Sequence, residues 1–164
     1  MPGFFRRGNH DDPPPQTDAA GDADDAPERL QERLVELIRF VNHNGGKLPV
    51  DAVVLAREVT DIMREVIATS ADRPLDVYAV VSINGIVGDY LPTTLRAYLA
   101  LDPAVTDREG PSGRTPRAAL REQLESLADA ADDVLQAARA HDVDALFSQG
   151  NFLRTKFTRS DLDL

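Results

Sequence analysis

A chain of 164 residues has room for one domain plus a tail. It contains no cysteine, which excludes disulfides, thiolate zinc sites, iron–sulfur ligation and cysteine nucleophiles. A formal charge of −10 repels phosphate backbones, and 5% aromatics without Trp make a poor stacking platform, so nucleic acid is not an expected partner.

Residues 1–27 hold five prolines and six aspartates, and no large apolar residue stands between Phe5 and Leu30. Such a stretch cannot bury enough surface to offset its ordering entropy, so it reads as a disordered acidic, Pro-rich tail. Within it Phe4-Phe5-Arg6-Arg7 joins two aromatics to two cations, a pattern suited to peripheral membrane contact or short-motif docking. The basic residues of the N-terminus are followed by no apolar region, so no signal peptide is expected. No apolar run approaches the ~20 residues that span a bilayer, and the expected compartment is the cytoplasm.

From Glu28 the period is helical. Leu30, Leu34, Leu37, Ile38 and Val41 share a face, Pro27 suits a first turn, and Asn44-Gly45-Gly46 supplies residues that accept left-handed angles at the stop. A second helix opens near Pro49, with Leu55, Val59, Ile62 and Val66 inward and Glu58, Asp61 and Glu65 outward. Together they form an antiparallel hairpin.

Residues 75–91 admit two readings. The β-branched run Val77–Ile83 before Asn84-Gly85 fits a β-hairpin. An isolated hairpin is marginal in water, however, and no other segment reads as strand. Helix is the reading adopted, with Val77, Val80, Val81, Val87 and Leu91 on one side. Pro92 should kink or restart the chain into a short helix with Leu95, Tyr98 and Leu99 inward. Residues 102–114 form a loop. Thr115-Pro116 then opens a helix whose Leu120, Leu124, Leu127, Ala131, Val134 and Ala138 run as a heptad seam, with Asp129, Asp132 and Asp133 opposite. It should stop near His141, with Asp142 capping a last helix striped by Val143, Leu146, Gly150, Leu153 and Phe157. The expectation is an all-α antiparallel bundle of five to six helices over residues 28–158, ending in a frayed acidic segment at 159–164.

No chemistry-bearing motif emerges. His10, His43 and His141 lie apart, never at i+3 or i+4, so no helical metal clamp is read. The three aspartates opposite the seam read as a solvated face rather than a cation site. Gly45-Gly46 lacks the Lys-Ser/Thr of a phosphate loop, and no Gly-x-Ser-x-Gly elbow occurs. No cofactor and no catalytic residue is assigned.

One segment carries a family signature. Gly88-Asp89-Tyr90-Leu91-Pro92-Thr93-Thr94-Leu95-Arg96-Ala97-Tyr98 resembles the Tyr-Leu-Pro-Thr-Thr pattern of bacterial XpaC-like proteins, the bromochloroindolyl-phosphate hydrolysis family. The likeness extends over residues 75–157. It implies a cytosolic α-helical module associated with TelA-like toxic-anion (tellurite) resistance proteins, with a TelA-like coiled-coil protein as partner. It also makes Asp89, Tyr90, Leu91, Pro92, Thr93, Thr94, Leu95 and Tyr98 the motif positions. Phosphoryl transfer needs dense positive charge or metal at the site, which this acidic chain does not display. The heptad seam and the tail point to a non-enzymatic interaction or scaffold protein, and the resemblance implies a setting in toxic-anion or envelope stress; phosphoryl chemistry finds no such support in the residues. Phosphate-ester hydrolysis is the alternative.

Overall fold

The structure, a computed structural model, describes residues 25–160, with side chains through His141. The described residues contain no strand. Helix α1 runs Pro27–Asn44 and α2 Val50–Ala68. Helix α3 (Val77–Gly85) passes through a π-helical turn (Ile86–Tyr90) directly into α4 (Leu91–Leu99). Helix α5 runs Pro116–Ser160. Because α3, the π turn and α4 make one uninterrupted rod, the described residues form four helical rods rather than five or six helices.

Two breaks expected from sequence are absent, for physical reasons. Pro92 does not restart the helix. In a straight α-helix its ring would meet the carbonyl four residues back. The preceding π turn widens the coil instead, with the Leu91 amide donating to the Ile86 carbonyl. The rod therefore absorbs the proline without ending. Nor does a new helix open at Asp142. That residue continues α5, since an aspartate costs well under ~1 kcal/mol inside a helix and no Gly or Pro stands nearby to stop it. Residues 158–160 belong to α5, whereas 161–164 lie outside the described residues. So do residues 1–24, including His10 and Phe4-Phe5-Arg6-Arg7, and the side chains of the predicted stripe from Val143 to Phe157.

The core forms where four apolar faces meet. Leu30, Leu34, Leu37 and Val41 are buried from α1, as their period predicts. The face of α2 is turned from the predicted one. Ala52, Ala56, Val59, Met63 and Val66 are buried, while Leu55 and Ile62 only pack at its edge. The small Ala52 and Ala56 let neighbouring helices approach closely, which a hydrophobicity pattern does not reveal. The heptad seam of α5 is spent inside the molecule. Leu120, Leu124, Ala131, Val134 and Ala138 are buried, and α5 lies mainly against α2, with α4 as a second neighbour.

Capping follows sequence in one place and departs in others. The Thr115 hydroxyl accepts the Ala118 amide at 3.1 Å, opening α5 as expected. An unforeseen cap is Asp76, whose carboxylate accepts the Ala79 amide at 2.7 Å and starts α3. Gly45 keeps right-handed angles (φ −57°), so the Gly-rich loop does not use its left-handed freedom. Among the described residues only Gly113, at φ +72°, needs it. Arg73, in the connection before α3, donates to the carbonyls of His141 at 3.1 Å and Ala138 at 3.4 Å, tying that loop to α5.

Candidate functional site

The resemblance segment falls on the π turn and α4, and the helix divides it into two faces. Leu91 and Leu95 are fully buried, and Pro92 is buried beside them. Asp89, Tyr90 and Thr93 are exposed, and Thr94 and Tyr98 are half-buried. The Thr93 hydroxyl donates to Asp89 at 3.2 Å across one helical turn. Tyr90 and Tyr98 open on separate surfaces: Tyr98 lines a cleft with Lys47, Leu101 and Pro103, far along the rod from the π turn. The motif is thus half core and half surface, not one convergent constellation.

A groove of about 490 Å³ lies between α1 and the π turn. Its walls carry Arg33, Glu36 and Phe40 from α1 and Asn84, Gly88, Asp89, Pro92 and Arg96 from the α3–α4 rod. Two features give it polar character. Pro92 has no N–H, so the backbone carbonyl it faces one turn back, in the Val87–Gly88 stretch, has no donor from that position. Gly88 leaves this backbone uncovered, with nothing within 4 Å of where a Cβ would stand. The side chains are also organised. The Arg33 guanidinium donates to the Asn84 side-chain oxygen at 2.6 Å, and the Asn84 amide donates to Asp25 at 2.7 Å. The Arg96 guanidinium stacks 5.2 Å above the Phe40 ring, a cation–π contact. Two carboxylates and two guanidiniums balance one another, so the groove suits hydrogen-bonded recognition more than the stabilisation of a highly charged phosphoryl group.

Beside the groove, α3 turns apolar side chains to solvent. Val77 is 80% exposed, Val81 64%, Tyr78 59% and Tyr90 58%. Residues 77, 81 and 85 follow one another at i+4, and the Tyr90 ring covers Gly85, its Cε2 3.1 Å from where a Cβ would stand. The four residues therefore make one continuous apolar ridge. Of the set expected on one side, Val87 and Leu91 are buried and Val80 is half-buried, whereas Val77 and Val81 stand in solvent. Beside Val87 the bundle takes Ala79, Ile83 and Ile86, and the extra residue of the π turn keeps that set in phase with Leu91 and Leu95. Ridge and groove residues outside the motif (Arg33, Glu36, Phe40, Val77, Tyr78, Val81, Asn84) were not marked by sequence as functional. For the ridge a signal exists in the sequence: six of the seven residues Val77–Ile83 are apolar or aromatic, more than one buried face can use.

Other surfaces offer less. Arg121 in the cleft between α2 and α5 donates to Glu125 at 2.8 Å, and this bond, with the charge of Glu125, holds its guanidinium pKa above the usual value. Among the described residues no group of three or more His, Asp or Glu is placed to hold a metal, and no helix is long and apolar enough to cross a membrane. No protein-family model, no curated protein and no solved structure matches this chain.

Proposed function

We propose that this protein is a non-enzymatic helical interaction or scaffold module, acting in the cytoplasm, and that it captures a protein partner through the ridge of α3 and the adjoining groove. One observation carries the reading: Val77, Tyr78, Val81 and Tyr90 stay in solvent on a single stripe although the core lies on the opposite side of the same helix. The motif from Gly88 to Tyr98 supports kinship with XpaC-like proteins. With it comes a role in toxic-anion or envelope stress, with a TelA-like coiled-coil protein as partner. The heptad seam of α5 is withdrawn as the docking surface because it is buried.

The test is capture from native lysate by wild type and by Val81→Asp. The substitution changes an exposed helix position, so the denaturation midpoint should hold while capture is lost. Capture that survives this charge in mid-ridge would overturn the reading.

The second reading, phosphate-ester hydrolysis, is favoured by Asp89 and the uncovered backbone at the groove. Purified protein is expected to leave an aryl phosphate intact with Mg²⁺, Mn²⁺ or Zn²⁺ present. Turnover that disappears in Asp89→Asn would reverse the order of the two readings.

A further inference from the structure

We infer that the chain's own N-terminal segment, Phe4-Phe5-Arg6-Arg7, seats on the ridge formed by Val77, Tyr78, Val81 and Tyr90, so that any partner must displace it. The inference deepens the proposed function, on which its regulatory meaning rests: the interaction surface carries its own competitor.

The first ground is where the segment is tethered. The Asn84 side chain donates to Asp25 at 2.7 Å, which fixes the chain's entry on α3 itself. Asn84 stands three residues from Val81 and seven from Val77, one and two turns along the same side of the helix. The segment upstream of Asp25 therefore starts at the ridge.

Reach is the second ground. Phe5 precedes Asp25 by twenty positions, a length that spans up to roughly 70 Å. The ridge from Val77 to Tyr90 is only about 20 Å long at ~1.5 Å per residue. The tether neither strains nor falls short.

Chemistry is the third. Phe4 and Phe5 are the only aromatics before Phe40, and Arg6 and Arg7 are the only cations before Arg29. The ridge is apolar and carries exposed carboxylates at both ends, Asp76 before Val77 and Asp89 before Tyr90. Two rings and two guanidiniums match that surface in kind and order of size.

The fourth ground selects this occupant over a second copy. A stable interface between separate chains takes about 800 Å² from each side, some 20–30 residues. Four exposed side chains provide far less. A tethered segment works at an effective concentration of order millimolar, where a patch this small suffices.

The absence of cysteine gives a clean test on the full chain. Gly3→Cys takes a single nitroxide label, and amide NMR intensities are read with the label oxidised and reduced. The amides of Val77, Val81 and Tyr90 should lose at least half their intensity, independently of protein concentration. Phe4→Ser with Phe5→Ser should restore them and should raise partner capture several-fold. Unaffected ridge amides, or loss that is the same in the double Ser variant, would overturn the inference. Broadening that scales with protein concentration would assign the ridge to a second copy, and Phe4-dependent binding of the full chain to phosphatidylserine vesicles without ridge broadening would assign the segment to a membrane surface. If broadening fails while Val81→Asp still abolishes capture, the interaction reading survives alone. If broadening is seen while capture ignores Val81→Asp, the segment seats on the ridge but the partner binds elsewhere.

Discussion

Leu95→Ala separates a structural from a docking role for the Tyr-Leu-Pro-Thr-Thr segment. Leu95 has no solvent exposure and belongs to the core cluster, on a helix that packs against α5. The substitution removes three carbons. At about 0.8 kcal/mol per buried methylene the transfer loss is roughly 2.4 kcal/mol. A residual cavity of ~50 Å³ adds about 1.2 kcal/mol at ~24 cal/mol per Å³, for a total of about 3–4 kcal/mol. At a urea slope near 2 kcal/mol per molar, the midpoint should fall by roughly 1.5–2 M. That is a large part of the ~5–15 kcal/mol that holds a domain together, so the variant should fold but melt early. Equilibrium urea denaturation followed by far-UV circular dichroism reads the shift, and capture is scored on the same protein below the transition. A midpoint moved by less than about 0.3 M, with capture lost, would refute the burial argument and make Leu95 a contact residue.

Further outcomes follow from the same geometry. Gly88→Ala should raise stability by about 0.5–1 kcal/mol in urea denaturation, because a Cβ there meets nothing within 4 Å and helical glycine carries an entropic cost. Asn84→Ala removes the link between Arg33 and Asp25 and should cost about 1–2 kcal/mol by the same assay, with hydrogen exchange quickened in the first turn of α1. Glu65→Gln breaks the ion pair with Arg139 that joins α2 to α5, yet both side chains are half-exposed, so less than about 1 kcal/mol should be lost. Amide NMR should show helix without interruption from Val77 to Leu99, with strong protection of the Leu91 amide; a hairpin at Asn84-Gly85 would contradict the fold.

The legible parts of this fold are those where one local rule acts alone. The 4-3-4 spacing of Leu30, Leu34, Leu37 and Val41 fixes the buried face of α1, and Thr115-Pro116 marks the start of α5. Where two rules compete, the outcome lay in tertiary context. Pro92 forbids a straight helix, but burial of Leu91 and Leu95 on either side rewards keeping it continuous, and a π turn reconciles the two. Val77–Ile83 has more apolar residues than one face holds, so the period could not say which would stay outside. That choice depends on the phase set by the π turn. The groove was hidden for a related reason: Arg33 and Phe40 meet Asn84 and Arg96 only because α1 packs beside the α3–α4 rod.

The dominant packing of α5 on α2 has a consequence for synthesis. Every helix up to Leu99 is complete before the residues that close its core have been translated, since the buried seam of α5 ends at Ala138. At about 5–20 residues per second, the ribosome takes roughly 2–8 s to cover that interval. For those seconds α2 waits without its main packing partner. Helix formation takes microseconds, so the nascent hairpin of α1 and α2 is old by the time its lid arrives. The arrival of α5, the main packing partner of α2, is the step that closes this core.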